Sequence, residues 1–357
     1  MGHGPHNLVW QDPAMFEVVV TACIALASEA GEPACRDMLL ANYEAPTQAE
    51  CEAQLPELSK TYDDPRCAPV GPALDTTEIA PGVFAHLGRV EEPDTDNRGD
   101  VANLGFVVGQ DSVAVIDTGS ARWIGEALWR AIRLETDKPV SHVILTHMHP
   151  DHVLGTDAFS TTGAQVASHA ALPRALADRQ ANYAESLTRL IGPAFIGSTA
   201  PDTDITVSPD APMQIDLGNR ILTLHAWPTA HTGNDLTVLD EATGTLFTGD
   251  LIFHMHTPAL DGSVLGWLDV LGQLKKWNVT RIVPGHGGPV LDWPEGAEDQ
   301  HRYLETLRDD TRAAIARGTR LGEAVTTIAE SEADKWQLFE AYNPRNATVA
   351  FTELEWE

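Results

Sequence analysis

The sequence has few cysteines. Only four of its 357 residues are cysteines, Cys23, Cys35, Cys51 and Cys67, and all four fall in the first fifth of the chain. No two of them have the Cys-x-x-Cys spacing that is typical of a structural zinc site. Two interpretations remain: two structural disulfides, which we favour and for which three pairings are open, or four buried free thiols.

Basic residues are also scarce, and long apolar runs are missing. The chain has 23 lysines and arginines against 52 acidic residues, which gives a formal net charge of −29. Such a surface repels polyanions, so we expect no nucleic-acid partner. No apolar stretch approaches the roughly 20 residues that cross a bilayer, so we expect no membrane span. The 43% of hydrophobic residues suffices for a large core.

The first 75 residues divide into a leader and a small module. We predict a flexible leader over residues 1–14. Residues 15–30 have an apolar centre but no basic start, and Glu17 lies near their beginning, so we predict a strand of the mature protein and not a signal peptide. Three prolines and a glycine interrupt the chain over 63–75. The sequence therefore predicts a four-cysteine domain over 15–73 and a main domain over 74–357.

The main domain has the same kind of pattern in each half. Alternating strands turn at 109–111 and are followed by a helical pattern and an apolar strand that ends at Thr146. In the second half, the hydrophobic pattern predicts a helix, two hairpins, a helix, a strand and a long helix. The predicted ranges are 121–136 (helix), 143–146 (strand), 171–192 (helix), 213–228 and 236–253 (hairpins), 263–277 (helix), 281–286 (strand) and 296–316 (helix). Such an order predicts two sheets back to back, covered by helices.

The stretch THMHPDHVLG, residues 146–155, concentrates ligand-type side chains after a strand. Alternation places His147 and His149 on the same side, and Pro150 turns the chain so that Asp151 and His152 join them. Imidazoles and carboxylates are the ligands that zinc and related divalent ions prefer. Similar side chains occur at or beyond the ends of later apolar strands, namely His231, Asp250 and His286.

The order His-x-His-x-Asp-His, a lone His, a Gly-Asp and a Gly-His resembles the metallo-β-lactamase superfamily over about residues 75–300. The resemblance implies an α/β (α+β) fold, a four-layer αβ/βα sandwich, and a centre of two zinc ions. In that assignment His147, His149 and His231 hold one ion, Asp151, His152 and His286 hold the other, and Asp250 bridges them. Asp117 is either a residue supporting the ligand loop or a turn-initiating aspartate, and His254 and His256 are candidates for contacts with substrate.

A two-metal centre predicts hydrolysis without a protein nucleophile. Paired metals lower the pKa of a shared water to about 7, and Asp151 is placed to ligate and to orient that water. Asp250 stands where some lactamase subclasses have cysteine or serine, which favours lactonase-like, thioesterase-like and broader hydrolases. We therefore predict cleavage of a lactone, thioester or β-lactam, with Asp151 as the catalytic residue and a small molecule as substrate.

A closer resemblance is to the quinoprotein relay system zinc metallohydrolases. It is carried by FEVVVTACIAL, CRDMLL, GDVANLGFVVG, ILTHMHPDHVLG and LDGSVLGWL. It implies a functional link to a quinoprotein dehydrogenase system. Two other functions stay open: a mononuclear iron oxidoreductase of the same fold, and an accessory protein that binds metal without turnover. Cysteine usage and acidity favour a periplasmic or exported protein over a cytoplasmic one.

Overall fold

The structure is a computed structural model that describes residues 16–24, 33–288 and 290–357. The predicted leader over 1–14 and the part of the predicted first strand over 25–30 lie outside the described residues. Within the described ranges, no helix is long and apolar enough to cross a membrane.

The cysteine-bearing segment forms a three-stranded antiparallel sheet with two short helices. Its spatial order is β2-β1-β3, and both disulfides lie within it. Cys23 pairs with Cys35 and Cys51 with Cys67, so the prediction of two disulfides is confirmed and the pairing is settled. The elements are β1 (Phe16–Ile24), β2 (Ala34–Ala45), α1 (Gln48–Glu52), α2 (Leu55–Leu58) and β3 (Arg66–Pro69).

Two larger sheets follow in the chain. The first has seven strands in the order β10-β9-β8-β7-β6-β5-β4, antiparallel from β4 to β7 and parallel from β7 to β10. Its strands are β4 (Thr77–Ala80), β5 (Val83–His86), β6 (Leu104–Val108), β7 (Val113–Ile116), β8 (Val140–Ile144), β9 (Gln165–His169) and β10 (Ile205–Val207).

The second sheet has six strands in sequential order. Only β14 and β15 are parallel in it. Its strands are β11 (Met213–Asp216), β12 (Ile221–Ala226), β13 (Leu236–Asp240), β14 (Thr245–Phe253), β15 (Arg281–His286) and β16 (Leu291–Asp292). The hairpins predicted over 213–228 and 236–253 and the strand over 281–286 are present.

The helices of the main domain agree with the predicted ones within a few residues, except at the carboxyl end. They are α3 (Arg122–Glu135), α4 (Pro150–Val153), α5 (Leu172–Ile191), α6 (Val264–Leu274), α7 (Glu298–Ala316), α8 (Leu321–Ala324) and α9 (Phe339–Leu354). Short 3-10 helices span Thr156–Phe159, Gly192–Phe195, Glu295–Ala297 and Glu330–Lys335. No helix is predicted over 150–153 or after residue 316, so α4, α8 and α9 are new.

Three apolar cores separate four layers. One core lies between the two sheets and includes Phe247 and Leu222. A second packs α3 and α5 on the seven-stranded sheet, and a third packs α6, α7 and α9 on the six-stranded sheet. The predicted four-layer αβ/βα sandwich is therefore confirmed.

The cysteine-bearing segment is fixed to α3 by buried ion pairs. Glu17 of β1 lies 2.7 Å from Arg130, and Arg36 of β2 lies 2.7 Å from Glu126. Glu126 also accepts a hydrogen bond from the backbone N–H of Leu39 at 3.2 Å. Because each buried carboxylate faces a guanidinium, the segment docks on α3 without leaving a charge unpaired.

Candidate metal centre

Three histidines converge at one edge of the two sheets. His147 follows β8, His149 immediately precedes α4, and His231 lies in the loop between β12 and β13. The Nδ1 atom of His149 is 3.1 Å from Nε2 of His147 and 3.0 Å from Nε2 of His231. These three side chains form the first group.

A second group lies beside the first. Its Asp151 and His152 come from α4, and His286 is the last residue of β15. The Oδ2 atom of Asp151 is 3.1 Å from Nε2 of His286 and 3.8 Å from Nε2 of His152. The sequence thus predicted both groups, and the structure brings all six of their side chains together.

Asp250 stands between the groups. Its Oδ2 atom faces the first, 3.6 Å from Nε2 of His147 and 3.4 Å from Nε2 of His231. Its Oδ1 atom faces the second, 3.1 Å from Nε2 of His152 and 3.4 Å from Nε2 of His286. One carboxylate can therefore serve two ions.

The backbone around Asp250 lets its carboxylate come close to both groups. Asp250 lies within β14, next to Gly249, whose φ is +50°, where pairing with β15 becomes irregular. A Cβ atom on Gly285 would come within 2.0 Å of Oδ1 of Asp250. Glycine at 285 is therefore required for the carboxylate to reach His286.

The donor atoms of both groups fit divalent ions. Those of His147, His149, His231 and Asp250 lie within 4.8 Å of one another, as do those of Asp151, His152 and His286. Nε2 of His152 and Oδ1 of Asp250 are buried and lie 3.1 Å apart, but neither makes a hydrogen bond of acceptable geometry in the described structure. Leaving such atoms unsatisfied costs about 1–3 kcal/mol each, so a bound cation is the natural partner for both.

The electrostatics of the centre also favour positive charge. Burial opposes protonation of His286, but the carboxylates of Asp250 and Asp151 outweigh it and raise the pKa of His286 to about 10. Burial lowers the pKa of His231 to about 3, which keeps that ring neutral. A neutral imidazole is the form that ligates a metal.

Each of the five histidines has a partner for its second ring nitrogen. Such contacts fix the tautomer and the orientation of a ligating imidazole. The pairs are His147 Nδ1 with Thr146 Oγ1 (3.1 Å), His149 Nε2 with Asp261 Oδ2 (3.2 Å), His152 Nδ1 with Asp117 Oδ2 (2.8 Å), His231 Nδ1 with the Ala259 carbonyl (2.5 Å) and His286 Nδ1 with the Val101 carbonyl (3.0 Å).

Asp117 holds the loop that carries the ligand-type residues, 146–152, through three hydrogen bonds. Besides His152, it accepts hydrogen bonds from the backbone N–H and the hydroxyl of Thr146, at 2.8 and 2.7 Å. Its φ is +56°, in the left-handed region that aspartate tolerates better than most residues. Of the two roles the sequence left open for Asp117, the geometry agrees with support of the loop.

Of the two candidates for substrate contact, His254 and His256, only His256 lines the cavity. His256 is buried and lines the cavity in front of the metal centre. His254 does not line that cavity, and its Nδ1 atom is 2.7 Å from the carbonyl oxygen of Gly288.

Sequence reasoning missed Asp261 and Arg179. Arg179 of α5 donates two hydrogen bonds to Asp261, at 2.5 and 3.1 Å, and Asp261 in turn faces His149. Burial would raise the pKa of Asp261, but His149 and Arg179 lower it to about 2. Asp261 lies in the stretch LDGSVLGWL, but nothing in that stretch marks it as a partner of His149, so only the fold reveals its role.

A cavity of about 460 Å³ opens over the centre. Asp151, Asp250 and His286 line it, together with residues of α5 and α9. A cavity of this size suits a small-molecule substrate.

The comparisons with known proteins agree with this geometry. The family described as the metallo-beta-lactamase superfamily matches residues 97–286, more than half of the chain. The chain belongs to the metallo-beta-lactamase superfamily. A search of curated proteins finds no match.

Solved structures share the fold at low sequence identity. A metallo-beta-lactamase from Pontibacter korlensis is 20% identical with a TM-score of 0.53, covering 65% of this chain and 99% of that one. The metallo-beta-lactamase DIM-1 is 16% identical with a TM-score of 0.51, covering 66% and 98%. The sec-alkyl sulfatase PisA1, as a double mutant, is 15% identical with a TM-score of 0.61, covering 80% and 51%.

Proposed function

We propose that this protein is a dinuclear zinc hydrolase that cleaves a cyclic or activated acyl bond. The observation that carries the proposal is the sharing of Asp250 between two groups of ligand-type side chains. His147, His149 and His231 would hold one ion, and Asp151, His152 and His286 the other. Zinc bound there supplies a Lewis acid and lowers the pKa of a water towards neutrality.

Asp151 is the residue we assign to the chemical step. Burial would raise its pKa, but the neighbouring His152 and His286 hold it below its usual value, so the carboxylate stays ionised. It lines the cavity, where it can accept a hydrogen bond from the attacking water and fix the direction of attack. Asp117 and Asp261 hold His152 and His149 in place.

The second group of ligands separates this proposal from its alternatives. A mononuclear iron oxidoreductase needs only the first group, whereas Asp151, His152 and His286 also converge here. An accessory protein without turnover needs no substrate cavity in front of the centre. The fold neighbours are named as β-lactamases and a sec-alkyl sulfatase, so both kinds of substrate belong in a test panel.

The decisive experiment combines elemental analysis with a substrate panel. We expect about two zinc ions per chain and metal-dependent hydrolysis of at least one lactone, thioester or β-lactam. One iron per fully loaded chain would favour the oxidoreductase. Two zinc ions without turnover of any acyl compound or of a sec-alkyl sulfate would favour the accessory protein.

We further propose that residues 74–357 carry the hydrolase activity and that residues 15–73 are an appended module. Its two disulfides support a periplasmic or exported location, because disulfides persist in oxidising compartments. A functional link to a quinoprotein dehydrogenase system is part of the same proposal. It predicts that deleting the gene impairs growth on alcohols whose oxidation requires a quinoprotein.

A further inference from the structure

Two helices form much of the wall of the cavity over the metal centre. From α5, the lining residues follow a single helix face, with the i, i+4, i+7, i+8 and i+11 spacing of Arg179, Tyr183, Ser186, Leu187 and Leu190. From α9, Tyr342, Arg345, Asn346 and Val349 line the cavity with the same kind of spacing. The α9 wall lies outside the segment that matches the family, residues 97–286. The family match therefore does not extend to this part of the cavity.

Part of each helix face is apolar. Leu187 and Leu190 both line the cavity; Leu187 is buried, and Leu190 keeps 36% of its surface exposed. Val349 on α9 and Leu260, in the loop before α6, add aliphatic surface. An apolar wall of this kind gains free energy when it covers an apolar part of a ligand.

The charges around the cavity disfavour an anion far from the metal centre. Besides the predicted ligands, Glu91, Glu92 and Asp261 line the cavity, against Arg179 and Arg345. Arg179 is already bound to Asp261 through two hydrogen bonds. Glu91 has only a distant and exposed cationic partner, Arg89 at 3.9 Å. Arg345 is therefore outnumbered by Glu91 and Glu92, and the net charge of the whole chain is −29.

We infer that the substrate is an acyl compound with an uncharged, apolar acyl chain. The reacting group would lie over Asp151 and Asp250, and the chain would lie against Leu187, Leu190 and Val349. This inference rests on the proposed function, because it assigns the reacting group to the metal centre. It excludes acyl compounds that carry a carboxylate at the far end of the chain.

Binding of alkyl hydroxamates to the zinc-loaded protein tests the inference without requiring turnover. Calorimetry would compare unbranched chains of two, four, six and eight carbons. We expect the affinity to rise up to about fourfold for each added methylene until the cavity is filled. A carboxylate at the far end of the six-carbon probe should weaken binding at least tenfold relative to the methyl-terminated probe.

Two matched variants locate the chain-binding surface. Leu190→Asp should flatten the dependence on chain length, whereas Leu134→Asp should leave it unchanged. Both leucines are exposed and occupy the last turn of a long helix, but Leu134 lies on α3 and does not line the cavity. Binding of both variants to acetohydroxamate should be equal, since that probe has no chain to lose.

The outcomes separate this inference from the proposed function. Affinity that is independent of chain length, or tighter binding of the carboxylate-terminated probe, overturns the inference even if hydrolysis is found. A steep dependence on chain length, without hydrolysis of any substrate in the panel, confirms the apolar binding surface but contradicts the hydrolase, and with it the acyl substrate.

Discussion

At the scale of single residues, the metal centre depends on where each carboxylate directs its two oxygens. Asp250 turns one oxygen to each group, Asp117 binds His152 and Thr146, and Asp261 joins His149 to Arg179. The sequence motif predicts the place of Asp250, because ligand-type residues recur at strand ends in a recognisable order. The contact of Asp261 with Arg179 depends on α5 passing near the loop before α6, and no local sequence pattern predicts that.

Replacing Asp151 tests its assigned role. Asp151→Asn keeps the size of the side chain and removes its charge, so the attacking water would be misoriented and less readily deprotonated. We expect a loss in kcat of at least about 10²-fold with both metals retained, measured on the best substrate of the panel alongside elemental analysis. Asp178→Asn, an exposed position on α5, is the control. Near wild-type turnover with full metal content in the Asn variant would show that the role assigned to Asp151 is wrong.

Asp261 should matter for metal affinity. Asp261→Ala removes the acceptor of His149 Nε2, and loss of such a contact typically weakens metal binding 10- to 100-fold. Competition with a chromogenic chelator should show this loss for the ion held by the first group only. The cobalt-substituted protein should show a changed absorption spectrum. Arg179→Lys keeps a cation beside Asp261, so its metal affinity should fall between those of the unmodified protein and Asp261→Ala. Unchanged affinity in Asp261→Ala would contradict a positioning role for Asp261.

At the scale of elements, the sequence predicted those whose hydrophobic pattern is regular. The helices α3, α5, α6 and α7 and the strand β15 are found within about three residues of their predicted bounds. The helix α9 was missed because its inward positions include Asn343 and Asn346, and Pro344 lies inside it. Those amides bind the carbonyls of Ile328 and Pro258, so polar contacts replace the apolar stripe that pattern analysis requires.

The two disulfides should differ in their contribution to stability. Cys51 is fully buried in the core of the module, whereas Cys23 and Cys35 are exposed. Each closes a short loop, with separations of 16 and 12 residues, so the loop-entropy effects should be similar, about 3 kcal/mol. The double variant Cys51→Ala/Cys67→Ala also loses packing. We expect it to lower the free energy of unfolding more than Cys23→Ala/Cys35→Ala in urea titrations, and equal losses would contradict this account.

At the scale of the whole molecule, the ligands come from both sheets. His147 follows a strand of the seven-stranded sheet, while Asp250 and His286 belong to the six-stranded one. The sequence alone could predict that these strand ends meet, because it resembles a superfamily with that arrangement. It could not predict how the appended module docks, since Glu17, Arg36, Glu126 and Arg130 are distant in sequence and only the packed structure pairs them.

Metal binding should therefore stabilise the two sheets as one unit. An ion that binds only the folded protein at 1,000 times its Kd adds about 4 kcal/mol of stability, so we expect zinc to raise the Tm by at least about 5 °C over the chelated protein. Differential scanning calorimetry with zinc and with a chelator measures this increment. Asp250→Ala should reduce it by more than half, because both groups lose the carboxylate they share. His301→Ala removes an imidazole that contacts Lys275, outside the centre, and should keep the full increment. An increment in Asp250→Ala equal to that of the unmodified protein would show that Asp250 does not link the two groups.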